Sequence, residues 1–226
     1  MTDTHFFVRK RSHLKILVVA DREEPLLYDY FNPERFSDID LVISCGDLPG
    51  EYLSFIATML NVPVFYVRGN HDVSYASRPP EGCTNIDGRV VNYKGIRIAG
   101  LEGSRRYTDD AVQYSEREMF WKLIALKPKL WLSRGIDILV THAPPYSVHD
   151  LPDVCHQGFK VFLKMIKSYK PRYFLHGHVH LNYKARQERI TRVASTCVVN
   201  GHGFYILNYE TSDGPGDCST VPIGAL

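Results

Sequence analysis

A chain of 226 residues, 44% apolar and 23% charged, is long enough to bury a substantial core in one domain, or at most two small ones. Its formal net charge of +2 argues against a general polyanion binder, and no apolar stretch is long enough to span a bilayer. Five cysteines, Cys45, Cys83, Cys155, Cys197 and Cys218, are scattered, odd in number and without a C-x-x-C pair, which argues against a disulfide framework or a zinc ribbon. The basic stretch Arg9, Lys10, Arg11 reads as a solvated arm, and with no apolar signal region behind it the cytoplasm is the expected location.

Strand and helix signals alternate through the first two-thirds. Leu14–Ala20 reads as a buried strand and Pro25–Phe31 as a short helix opened by proline. Asp40–Cys45 is a strand, Glu51–Leu60 a helix with Leu53, Ile56, Ala57 and Leu60 on one face, and Pro63–Val67 a strand. Arg89–Tyr93 and Ile96–Leu101, split by Lys94-Gly95, predict a hairpin. Ser115 to Glu118 spells a capping box before a stripe of Met119, Leu123 and Leu126. Ile136–Thr141 is a strand, Phe159–Tyr169 a helix and Arg172–His176 a strand. From Asn182 the signals are all strand and turn: Tyr183–Gln187, Ile190–Ala194, Thr196–Val199 and Phe204–Tyr209. Early alternation predicts crossover units with parallel strands, and the late strand run predicts antiparallel pairing, so mixed sheets are expected. Residues 1–209 are expected to form one domain, and 210–226, rich in Gly, Pro and Ser, a flexible tail.

Each strand of the alternating part ends in a polar signature. The first runs into Asp21-x-Glu23, the second into Gly46-Asp47, and the third into Gly69-Asn70-His71-Asp72. His142-Ala-Pro-Pro145 and His176-Gly177-His178-Val-His180 close two later strands. Any one of these is compatible with an ordinary turn. Five in order would place Asp, Asn and His at one edge of an open sheet, where sites gather. Carboxylate, amide oxygen and imidazole together suit divalent ions of the Zn, Mn or Fe type.

This ordered set, Asp21, Gly46-Asp47, GNHD at 69–72, THAPP at 141–145 and GHVH at 177–180, resembles the calcineurin-like metallophosphoesterase superfamily. The resemblance implies an α/β fold, a four-layer α/β/β/α sandwich with two mixed β-sheets. It implies two divalent ions, the first on Asp21, Asp47 and His180, the second on Asp47, Asn70, His142 and His178, with Asp47 bridging. It further implies His71 as general acid, oriented by Asp72, and a bridging hydroxide attacking phosphorus. The superfamily's first motif usually reads D-x-H, and here the position is Glu23. Glu23 either joins the first ion, which would admit Mg there beside Mn, Fe or Zn, or faces solvent and leaves that site weak.

The expected activity is therefore hydrolysis of a small phosphodiester or phosphomonoester, a nucleotide among them. Arg105 and Arg106 in GSRRYTDD either grip the phosphate or belong to a solvated loop countered by Asp109 and Asp110. A non-catalytic binding scaffold with an incomplete first site is the alternative, and a nuclease a further one. The near-zero net charge makes a nucleic-acid partner unexpected, and no membrane partner is expected.

Overall fold

The computed structural model describes residues 13–181, 188–210 and 214–218. In chain order its strands are β1 (His13–Ala20), β2 (Leu41–Ser44), β3 (Val64–Tyr66), β4 (Cys83–Asn85), β5 (Val90–Tyr93), β6 (Ile96–Leu101), β7 (Ser104–Arg105), β8 (Gln113–Tyr114), β9 (Ile138–Thr141), β10 (Tyr173–His176), β11 (Ile190–Val193), β12 (Thr196–Asn200) and β13 (Gly203–Glu210). The α-helices are α1 (Gly50–Leu60), α2 (Glu116–Leu132) and α3 (Lys160–Tyr169).

Two mixed sheets face each other. The first runs β13-β1-β2-β3-β4, parallel except for the antiparallel β1–β13 pair. The second runs β11-β12-β10-β9-β6-β5, with a parallel centre and antiparallel pairs at both edges. Alternation along β1 sets the layers. Ile16, Val18 and Ala20 point between the sheets, against Ile98, Val140, Leu175 and Val199. Leu17 and Val19 point outward, against Leu53 and Ile56 of α1. On the far side, α2 and α3 cover the second sheet with Leu123, Leu126, Phe162 and Met165. The result is the expected α/β/β/α sandwich.

Local signals mostly set these elements. The Ser115 side chain accepts from the Glu118 N–H, and Glu118 Oε2 accepts from the Ser115 N–H at 2.7 Å, completing the capping box that starts α2. The β5–β6 hairpin forms as expected. Pro25–Leu27 makes only a single 3-10 turn where a helix to Phe31 was expected, because it buries only Leu27 and its N-cap has no side-chain hydrogen bond. The edge strand β4 is a three-residue piece without hydrophobic alternation, and pairing with β3 creates it. The expected strand Tyr183–Gln187 and the basic stretch Arg9–Arg11 lie outside the described residues. One disulfide, Cys197–Cys218, is present despite the scattered spacing. It holds the 214–218 segment on β12, where the Asp217 N–H also donates to the Tyr173 hydroxyl at 2.8 Å.

A charged knot joins the sheets. Arg68 forks onto Glu102 at 2.8 and 2.9 Å, Tyr114 donates to the same carboxylate at 2.8 Å, and Lys122 of α2 reaches Asp87 at 2.8 Å. Glu102 is only 2% exposed, so deleting it strands the partly buried Arg68 guanidinium. Glu102→Ala is expected to cost about 3–5 kcal/mol in urea unfolding and Glu102→Gln less; equal small losses would show that the knot is not structural.

Candidate metal site

The ends of five strands meet at one edge. Asp21, Asp47 and Asn70 follow β1, β2 and β3 of the first sheet, and His142 and His178 follow β9 and β10 of the second. Backbone bonds lock the junctions: the Asp21 N–H donates to the Gly46 carbonyl at 3.1 Å, and the Gly177 N–H to the His142 carbonyl at 3.0 Å. Asp21, Asp47 and His178 all adopt left-handed backbone, with φ of 64°, 57° and 69°. Non-glycine residues pay for such angles, and strain of this kind collects where side chains must be aimed. A Cβ on Gly69 would overlap the Asp47 carboxylate and come within 2.7 Å of the His142 ring, so only glycine lets the third strand's turn approach so closely.

The centre of the site is His142 Nε2. Three acceptors surround it: His178 Nδ1 at 3.0 Å, Asn70 Oδ1 at 3.1 Å and Asp47 Oδ2 at 3.2 Å. Each imidazole is oriented from behind. His142 Nδ1–H donates to the Cys45 carbonyl at 2.8 Å, and His178 Nε2–H to the Cys155 carbonyl at 2.6 Å. Both rings therefore turn their other nitrogen to the centre, the arrangement that metal-bound histidines share. A single proton on His142 Nε2 cannot satisfy three acceptors, whereas one divalent cation would take all four atoms. The residues fit an ion, and two imidazoles with one carboxylate and one amide oxygen suit zinc or iron better than magnesium or calcium.

Electrostatics follow the same geometry. Burial alone would raise the Asp47 carboxyl, but the His142 charge and hydrogen bond, with the His71 N–H, draw it down to about 2. Burial would lower His142, yet Asp47 overrides this and lifts it to about 9. Burial and the His142 charge push His178 down to about 4. Burial and repulsion from Asp47 raise Asp72 to about 6.

Of the remaining expected residues, Asp21, His71 and His180 line the cavity over this set, and the others lie outside it. Asp72 Oδ2 accepts from the backbone N–H groups of Asp47 and Gly69, both at 2.8 Å, and so ties two loops together. His71 is exposed at the mouth, and its backbone N–H donates to Asp47 Oδ1 at 2.8 Å. His180 is exposed and stacks on His202 with centroids 4.8 Å apart. Asp21 Oδ1 accepts from the His178 N–H at 2.8 Å, and its Oδ2 is buried without a hydrogen bond, 3.7 Å from His202 Nδ1. Glu23 is exposed and does not line the cavity of about 480 Å³ over the site. Arg105 and Arg106 also stay out of that cavity: they pair at 2.9 Å with Glu116 and Glu118 in the first turn of α2, not with Asp109 and Asp110. Two residues carry no motif and were not anticipated. Tyr107 accepts from Asn70 Nδ2 at 3.0 Å and holds that amide in place, and His202 neighbours Asp21. The aromatic in GSRRYTDD was the only available hint of the first.

Residues 1–182 match the model of the calcineurin-like phosphoesterases, and the chain belongs to that family. It is 26% identical over 169 residues to an uncharacterised protein of Haemophilus influenzae, a match covering 64% of this chain and 75% of the relative. It is 23% identical over 243 residues to the lariat debranching enzyme of Caenorhabditis briggsae, covering 78% of this chain but only 48% of that enzyme's length. Among solved structures, TT1561 of Thermus thermophilus superposes with a TM-score of 0.59 at 17% identity, over 87% of this chain and 95% of its own, which supports the fold.

The two-ion hydrolytic centre expected from the motifs is not what these residues build. Among the described residues, the one compact set of ligand atoms at the strand ends is Asp47, His142 and His178. A second trio, Asp153, Cys155 and His156, lies on a separate surface loop at the rim. The first-ion set of Asp21, Glu23 and His180 does not close. Among the described residues, Asp21 and His180 line the same cavity, but their ligand atoms do not gather into a compact group, and Glu23 stays outside it. Asp47 turns Oδ2 to His142 and Oδ1 to the His71 N–H. The expectations of a dinuclear phosphoesterase, of phosphodiesterase activity, of manganese dependence and of magnesium at Glu23 are corrected accordingly. The general-acid role of His71 falls with them.

Two measurements probe this geometry. Tyr107→Phe frees the Asn70 amide, and zinc affinity by calorimetry is expected to fall about tenfold or more; an unchanged affinity would remove Asn70 from the ligand set. Behind the site, the Thr191 hydroxyl donates to His149 Nε2 at 2.8 Å, and His149 Nδ1–H donates to His176 Nε2 at 2.9 Å. Burial holds His149 at about 4 and His176 well below its usual value. Both are neutral when folded, so their stability is full above about pH 6.5 and is lost as pH falls through about 4. For His149 this amounts to on the order of 3 kcal/mol, and His149→Asn is expected to flatten part of the acid-side drop in Tm.

Proposed function

We propose that the protein is a non-catalytic binding scaffold of the calcineurin-like phosphoesterase fold, holding one divalent ion on Asp47, Asn70, His142 and His178. The observation that carries this reading is the convergence of three acceptors on His142 Nε2, beside a first-ion set that stays dispersed. Asp47 and Asn70 come from one sheet and His142 and His178 from the other. A single ion there acts as a cross-link that fixes the loops around the cavity, including His71, Tyr107 and His156 at its mouth. Those side chains offer imidazole and phenol edges to a partner.

The test combines stoichiometry with turnover. Metal analysis and zinc calorimetry are expected to give one ion per chain, with His178→Ala abolishing binding. Bis-nitrophenyl phosphate is expected to stay intact with zinc, iron, manganese or magnesium. Two ions per chain with metal-dependent hydrolysis would overturn the reading.

A further inference from the structure

Helix α2 breaks the usual rule for a surface helix. Its inner face is apolar, as it should be, with Met119, Leu123, Leu126 and Leu130 buried on the second sheet. The opposite face ought to be polar. Instead Trp121, Ala125, Pro128 and Leu132 follow one another along the outward side at helical spacing, flanked by Phe120 and Trp131. Trp131 is 83% exposed, Leu132 78% and Trp121 56%. These exposed side chains project from α2 as a ridge.

The charge around the ridge has one sign. Helix α3 packs on the same side of the same sheet, and its outer face carries Lys160, Lys164 and Lys167, at i, i+4 and i+7. Lys170 follows at its end, and Lys127 and Lys129 flank the α2 ridge. Neither Met119–Ile136 nor Lys160–Arg172 contains an Asp or Glu. The nearest carboxylates are already countered: Glu116 by Arg105, Glu118 by Arg106 and Asp137 by Arg97. In a chain with a net charge of only +2, the lysines that meet no carboxylate among the described residues thus gather on the face that also shows both tryptophans.

We propose that the α2–α3 face docks on an anionic membrane surface, with the α2 ridge entering the headgroup region and the lysines meeting acidic lipid. Trp and Leu on one stripe with Lys on the flanks is the composition of helices that lie in that interface. A convex ridge needs no complementary pocket in a fluid lipid layer, whereas a protein partner has to supply one. A second copy of the chain would set lysine against lysine. Nucleic acid offers phosphate but no apolar surface for Leu132 and Pro128. No helix among the described residues is long and apolar enough to cross a membrane, so the contact is peripheral. The inference stands apart from the ion site.

Because Trp121 and Trp131 are the only tryptophans, intrinsic fluorescence reports directly on the ridge. The full chain is mixed with phosphatidylcholine vesicles, with or without about a third phosphatidylserine. Flotation and a blue shift are expected with the acidic vesicles, reversed by raising salt to about 0.5 M. Trp131→Ala with Leu132→Ser, and separately Lys164→Glu with Lys167→Glu, should each weaken binding about tenfold or more with an unchanged thermal melt. Absence of flotation, or binding indifferent to both pairs of substitutions, would overturn the proposal. So would a blue shift that follows protein concentration alone, or one produced by single-stranded RNA or an acidic helical peptide and not by vesicles.

Discussion

One nitrogen atom with too many acceptors organises this molecule's polar edge. His142 Nε2 lies within 3.0–3.2 Å of an imidazole nitrogen, an amide oxygen and a carboxylate oxygen, in a setting where the His142 ring is fully buried. A lone proton relieves only part of that crowding. The carbonyls of Cys45 and Cys155, the Tyr107 hydroxyl and the glycine at 69 all serve to keep those atoms pointed at each other. Left-handed backbone at Asp21, Asp47 and His178 shows that the chain accepts conformational cost to hold this edge in shape.

The sandwich makes the convergence possible. Parallel strands at the centre of both sheets deliver their carboxyl ends to the same side, and the core between Ile16, Val18, Ile98 and Val140 keeps the two sheets in register with each other. The same packing explains why the edge is only half of what the family motifs imply. Asp47 and Asn70 can face His142 and His178 because four strand ends are pinned together. Glu23 lies beyond the end of β1 on an exposed turn with nothing to draw it inward.

Much of this was legible in the residues. The alternation of Ile16 to Ala20, the capping box at Ser115 and the hairpin around Lys94-Gly95 carry their structure in local chemistry. So does the ordered set of Gly-Asp, Gly-Asn-His-Asp and Gly-His-Val-His, because each motif sits where a strand must stop. What could not be read was where side chains already engaged elsewhere would point. Motif spelling does not show that Asp72 is held by two backbone amides, that His180 leans on His202, or that Arg105 and Arg106 pair with Glu116 and Glu118 at the start of α2. Those outcomes depend on partners far apart in sequence. Cys197 and Cys218 teach the same lesson, since 21 residues separate two sulfurs that folding brings together.

The placement of the ligand atoms on both sheets has a thermodynamic corollary. An ion held there recognises only the assembled sandwich, since neither sheet alone presents the four donors. Occupancy at a hundred times the dissociation constant would then add about 2.7 kcal/mol to the folded state, a sizeable share of what a domain of this kind possesses. Cellular metal supply would act on such a protein as a control on its lifetime, deciding how much of it persists folded, with no chemistry performed at all.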